Sequence, residues 1–258
     1  MSRLARVTFL GTGTSHGVPM IGCECATCRS DDPRDRRSRP SIAFDLAGGS
    51  TVLVDTSPDL RAQALAFGVR RVDAILFTHA HADHIMGLDE VRRYNVMQGR
   101  SIPCFADAAT VGEIRRTFAY VFNPPQKGGG VPQIDLFALA GPFCLGGAEV
   151  VPVPLQHGTQ GVLGYRLGTF AYLTDCSGVP DSSWPLLDGV ETLVIDALRE
   201  RPHPTHFTVS EALATIARIG PREAYLTHIC HDLGHAATEA RLPAGVQVAY
   251  DGLILDVF

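Results

Sequence analysis

The sequence has no basic excess. Its formal net charge is −5 at pH 7, whereas a nucleic-acid-binding domain ordinarily carries a positive balance. It also has no long apolar run near its start. The opening MSRLARVTFLGTGTSHG is broken by Gly11 and Thr12 within a few residues, so it reads neither as a signal peptide nor as a membrane span. A cytoplasmic protein without a membrane partner is expected. No internal repeat and no long linker are visible, so solenoids and strings of small domains are excluded. Lys127-Gly-Gly-Gly130 is the one flexible stretch, read as a surface connection in preference to a lid over a site.

What is present is ordinary globular material. Of the 258 residues, 45% are hydrophobic and 19% charged, which excludes a disordered chain and allows a sizeable core. Short apolar runs rich in β-branched residues recur: ARVTFLG, SIAFDL, TVLVDTS, DAILFTH, VVPVPL, LGYRLG, FAYLTD, TLVIDAL, EAYLTH, VQVAY and LILDVF. Each has the length of a buried strand, and Gly, Pro or Asp bounds most of them. Helices are expected at Pro58–Phe67, Asp83–Gln98 and Thr208–Ile219. Thr208-x-x-Glu211 is a capping box for the last, with Gly220-Pro221 beyond its end. Strands first, then strands alternating with helices, imply an α/β unit of sheets covered by helices. One domain over residues 1–258 is expected.

The chemistry concentrates in DAILFTHAHADHIMG. His79 and His81 lie two apart, so extended chain points them to the same side. Asp83 and His84 follow where a helix begins. Imidazoles and a carboxylate crowded at a strand-to-helix junction suit Zn, Mn or Fe, because a cation relieves the repulsion that protonated imidazoles would suffer. A second cluster, Cys23-Glu-Cys25-Ala-Thr-Cys28, lies in a loop at about 22–40. Three thiolates need one more ligand to close a tetrahedral zinc site, structural because it leaves no open position. His231 is the first choice, with Cys230 and His235 behind it. The run Arg34–Arg39 either attracts a polyanion or is a solvated loop.

The run THAHADH is the signature of the metallo-β-lactamase superfamily, and the chain resembles it. The resemblance implies an αββα sandwich, with two central mixed β-sheets flanked by helices. It also implies a dinuclear site. His79, His81 and His157 would hold one metal, Asp83, His84 and His228 the other, with Asp175 bridging. Asp55 would support the His loop without binding metal. Two metals about 3.5–4 Å apart can activate a bridging hydroxide and steady both oxygens of an in-line displacement.

Taken with FLGTGTSHGVPMIGCECATC and LTHICHDLGH, the motif resembles more narrowly the phosphoribosyl 1,2-cyclic phosphate phosphodiesterases of the carbon–phosphorus lyase pathway, the PhnP type. That resemblance implies hydrolysis of a small cyclic phosphodiester, two active-site metals (Mn or Zn, or Fe), one structural zinc and a homodimer. It also implies that Asp83 and Asp175 serve the chemistry as metal holders, and that His206, ahead of His203, assists the leaving group. The rivals are an RNA-processing nuclease of the same superfamily, a β-lactamase, and a non-catalytic carrier related to pyrroloquinoline quinone biosynthesis. The acidic total and the lack of an arm speak against the first. The missing signal peptide speaks against the second, and the complete ligand set against the third.

Overall fold

The computed structural model describes residues 4–124 and 130–257. Most of the expected flexible stretch Lys127–Gly130 therefore lies outside the described residues. Among the described residues fourteen strands form two sheets. The first contains β1 (Ala5–Gly11), β2 (Ser41–Leu46), β3 (Thr51–Val54), β4 (Ala74–Leu76), β5 (Ile102–Ala106), β6 (Ile134–Ala138) and β14 (Ile254–Val257), in the order β14-β1-β2-β3-β4-β5-β6. The second contains β7 (Phe143–Leu145), β8 (Ala148–His157), β9 (Gln160–Leu167), β10 (Phe170–Leu173), β11 (Thr192–Asp196), β12 (Glu223–Thr227) and β13 (Val246–Val248), in the order β13-β12-β11-β10-β9-β8-β7.

Both sheets are mixed and follow one plan. From β14 to β3, and from β7 to β10, neighbours are antiparallel. From β3 to β6, and from β10 to β13, they are parallel. The sheets face each other across a core that takes Phe9, Phe44 and Val54 from one and Tyr165, Tyr172 and Tyr225 from the other. The outer face of the first sheet is covered by the helices Leu60–Phe67, Val91–Gln98 and Ala108–Thr117, which contribute Leu60, Val91 and Ile114. The helix Val209–Ile219 and the 3-10 turns Asp181–Leu187 cover the other. The result is the αββα sandwich. Central strands such as β4 are buried at every position, which is why they read as continuous apolar runs. Among the described residues no helix is long and apolar enough to cross a membrane.

Three strands gave no usable pattern. β5 contains Pro103, while β6 and β7 are edge strands with no fully buried residue. The expected helix Asp83–Gln98 is divided into Ala82–Ile85, a 3-10 turn at Leu88–Glu90, and Val91–Gln98. Gly87 marks the break. Its backbone packs so closely on Ser57 that a Cβ would lie 2.0 Å from the Ser57 carbonyl oxygen, and its amide donates to Thr56 O at 2.9 Å. The third helix follows its sequence signals. Thr208 and Glu211 form the capping box, and Gly220 ends it with φ of 71°, a left-handed conformation that costs glycine little.

Candidate metal centre and active site

The chemistry-bearing residues sit at strand ends on one rim of the sandwich. Asp55 follows β3, His79–His84 follow β4, His157 ends β8, Asp175 follows β10 and His228 follows β12. Among the described residues, three non-glycine residues have positive φ: Asp55 (64°), Asp175 (50°) and His228 (59°). Left-handed backbone is disfavoured for side chains with a Cβ and tends to persist where the surroundings over-determine it, as at functional sites. Here it turns the chain sharply as it leaves the sheet and aims each side chain inward.

Two groups of donors converge. His79, His81, His157 and Asp175 form one, and Asp83, His84, Asp175 and His228 the other; within each group the ligand atoms lie within 4.8 Å of one another. Asp175 belongs to both. Outer hydrogen bonds orient the rings, a common device around metal-ligating histidines. His84 Nδ1 donates to Asp55 Oδ2 at 2.7 Å, and His157 Nδ1 donates to Thr205 O at 2.8 Å. Asp55 in turn accepts from Thr78 N and Thr78 Oγ1 at 2.8 and 2.9 Å, so it braces the loop from behind.

These donors fit metal ions. His79 Nε2, His84 Nε2 and His228 Nδ1 are buried and make no hydrogen bond. Yet His228 Nδ1 lies 2.8 Å from Asp175 Oδ1, and His84 Nε2 lies 3.2 Å from Asp175 Oδ2. The atoms face a common centre without the angle a shared proton requires. Unpaired buried nitrogens are costly, and a cation removes that cost. Burial pushes His157 down to about 4, and it pushes His79 well below its ordinary range, with His84 adding to the effect. Both are therefore neutral imidazoles, the form that binds metal. Asp83 stays ionised: burial works against its charge, but His84 beside it outweighs that.

His206 lies against these groups. Its ring centroid is 4.8 Å from that of His157 and 4.8 Å from that of His228, and the residue is 9% exposed. Its Nδ1 is 2.8 Å from Asp196 Oδ2. His203 is 5.0 Å from His206, ring to ring, and half-buried. Asp196 is the site residue that sequence reasoning missed. Its signal was there, since it closes the strand run TLVID as Asp175 closes FAYLTD, but nothing local pairs it with a histidine ten residues on.

The three cysteines meet His231. Its Nδ1 lies 3.1, 3.5 and 3.7 Å from the sulfurs of Cys23, Cys25 and Cys28. The amides of Met20 and Cys28 donate to the sulfurs of Cys28 and Cys25 at 3.3 and 3.4 Å, an arrangement that suits thiolates. The Cys28 amide, chiefly, lowers Cys25 to about 7, while burial raises Cys28 to about 11. Three sulfurs and an imidazole nitrogen this close together make a four-donor set that fits zinc. Cys230 and His235 stand apart. Cys230 Sγ accepts from the Asp232 amide, and His235 Nδ1 faces Arg37 Nη2 at 3.1 Å.

The Arg34–Arg39 run is partly tied down: Arg36 is exposed, while the other three arginines have partners. Arg37 is 2% exposed and donates to Thr12 Oγ1 and Ala249 O at 2.9 and 2.5 Å. Arg34 pairs with Asp32 and Arg39 with Asp59. The run ties the cysteine-bearing loop to the sheets.

The fold and site define a class. The β-lactamase superfamily domain matches residues 50–229, and the chain belongs to that superfamily, in its metallo-β-lactamase form. Within it the chain is of the PhnP type. A solved diphosphatase from the PhnP family is 44% identical and superimposes with a TM-score of 0.91, over 98% of this chain and 96% of that one. A protein named octanoyltransferase from Porphyromonas gingivalis is 37% identical over 254 residues, 96% of this chain but 51% of that protein. The chain spans about half that relative's length, and the name describes the whole. Coenzyme PQQ synthesis protein B of Methylobacterium radiotolerans is 28% identical over 218 residues, 74% of this chain and 72% of that protein. Fold, family and donor groups together support a hydrolase.

Proposed function

We propose that the protein is a metal-dependent phosphodiesterase that opens a small cyclic phosphodiester of the phosphoribosyl 1,2-cyclic phosphate kind. The observation that carries this reading is the pair of donor groups sharing Asp175, with His206 beside them. Two divalent cations, manganese or zinc, would supply Lewis acidity toward the phosphate oxygens and an activated water for in-line attack. The protein's own part is geometric and protic. Asp175 fixes the spacing of the two groups, and Asp83 and His84 anchor the second. His206, held through Nδ1 by Asp196, turns Nε2 to the departing ribose oxygen; it acts as its imidazolium, taking up a proton from solvent before each turnover and passing it from Nε2 to that oxygen as the bond breaks. Cys23, Cys25, Cys28 and His231 would hold a structural zinc.

The test is metal analysis of the purified protein combined with kcat/KM on a small panel. The expected result is two active-site metals and one zinc per chain, with turnover of ribose 1,2-cyclic phosphate 5-phosphate and of bis(p-nitrophenyl) phosphate. A diphosphate ester belongs on the panel because of the PhnP-family diphosphatase. Efficient cleavage of a tRNA precursor without activity on cyclic phosphates would transfer the chain to the nuclease reading. A protein that binds metal but turns over nothing would transfer it to the carrier reading.

A further inference from the structure

A cavity of about 260 Å³ lies between His206 and the cysteine-bearing loop, lined among others by Ser15, His16, Met20, Arg199, Arg201 and His203. It is small: ligand pockets for drug-sized molecules start at about 300 Å³, so it suits a compact group. It is also cationic in a chain whose net charge is −5. Two arginines and several histidines face one carboxylate, Asp232.

The two arginines differ in a way that matters. Arg201 Nη2 is paired with Asp232 Oδ2 at 2.9 Å. Arg199, half-buried, has no carboxylate partner among the described residues; its guanidinium donates to the backbone carbonyls of Arg201 and Pro202 at 3.2 and 3.1 Å. Those contacts hold the arginine in place without an ion pair, although the Asp232 carboxylate feels its charge. Asp232 follows His231, which faces the cysteine sulfurs. His231 and Asp232, on the loop after β12, and Met20, just ahead of the cysteine loop, are thus the outer wall of the cavity, and His206 is its inner one.

We propose that this cavity binds a second phosphate of the substrate, carried on the leaving-group side, and that Arg199 is the residue that selects for it. The inference rests on the phosphodiesterase reading, in which His206 meets the leaving oxygen. A guanidinium fork matches the oxygens of a phosphate and remains charged at all relevant pH. The second phosphate is either a sugar phosphate beyond the ribose ring or the other half of a diphosphate ester.

The experiment uses the metal-loaded protein and its Arg199→Gln variant, which keeps a donor for the two carbonyls. kcat and KM are measured for ribose 1,2-cyclic phosphate with and without its 5-phosphate, and for ADP-ribose as a diphosphate ester. Wild type should prefer the 5-phosphorylated substrate over the bare one. In Arg199→Gln that preference should fall roughly 10- to 100-fold, the value of one charged hydrogen bond, through KM and not kcat. Arg199→Lys should recover part of it. A loss confined to ADP-ribose would support the cavity with a diphosphate as its occupant. An equal loss on all three, or no loss on any, overturns the proposal. If none of the three is turned over, the phosphodiesterase reading fails, and calorimetric titration with ribose 5-phosphate decides the cavity by itself. Binding weakened at least about tenfold by Arg199→Gln would sustain the anion site; absent or unchanged binding would end it.

Discussion

Asp196 Oδ2 stands 2.8 Å from Nδ1 of His206, wholly buried at the end of β11, and it also receives the Cys176 amide at 2.9 Å. The buried Asp196 fixes the His206 ring, and burial lowers the pKa of His206 from its ordinary value, which makes its protonated form a stronger acid. His206→Ala should retain both metals and lose roughly 10²–10⁴-fold in rate on alkyl or ribose esters, the usual contribution of one acid–base group. On p-nitrophenyl esters, whose leaving group barely needs a proton, the loss should be much smaller. Asp196→Asn should show the same leaving-group dependence at a smaller amplitude. Equal losses on both ester types would mean that His206 binds phosphate or holds structure instead.

Asp83→Ala should abolish turnover and leave the fold intact. Asp83 sits on the loop and short helix Ala82–Ile85 at the rim of the sandwich, outside the main core. Metal content per chain should fall while the far-ultraviolet circular dichroism stays that of the parent. Full metal content with full activity would remove Asp83 from the site.

Cys23→Ser should lose the zinc and melt lower. The cysteine loop is joined to the rest of the molecule through His231, 208 positions away in sequence, so the site closes a very long loop. A decrease of at least about 2–4 °C, the shift that ~1 kcal/mol produces in a chain of this size, is expected. The intrinsic rate on bis(p-nitrophenyl) phosphate should change less than the melting temperature suggests. A variant that keeps its metal and melts unchanged counts against a structural zinc.

Acid should weaken the joint between Arg37 and His235. Burial, and then the charge of Arg37, hold His235 down to about 4, against about 6.5 in an unfolded chain. The unfolded state therefore binds a proton that the folded state refuses. This contribution to stability is fully present above pH of about 6.5 and drains away as pH falls toward 4, by at most about 1.4 kcal/mol per unit. Thermal melts of wild type and His235→Gln at pH 7.5 and 5.5 check it. The gap in melting temperature between the two proteins should narrow, or reverse, at the lower pH. A gap independent of pH would show that His235 contributes packing alone.

The sequence by itself determined the features that close within a few residues. The buried strands were legible because a parallel strand covered on both faces must be apolar throughout, as in DAILF and TLVI. The helix Val209–Ile219 was legible because Thr208, Glu211 and Gly220 cap it locally. The two metal-type clusters announced themselves because His79–His84 and Cys23–Cys28 each lie on one short turn of chain. Other features were set by neighbours remote in sequence, and only the tertiary structure decided them. Gly87 breaks a helix because Ser57 presses against it. Arg37, charged in a charged run, is buried where Thr12, Ala249 and His235 meet its two Nη groups, while its Nε has no hydrogen-bond partner. His231, and neither Cys230 nor His235, faces the sulfurs because of where β12 delivers the loop that follows it. Asp55, Asp175 and His228 leave their strands in a left-handed turn that no residue type signals. Propensity and spacing act over a turn of chain, whereas convergence at the rim depends on how two seven-stranded sheets stack, and that is a property of the whole chain.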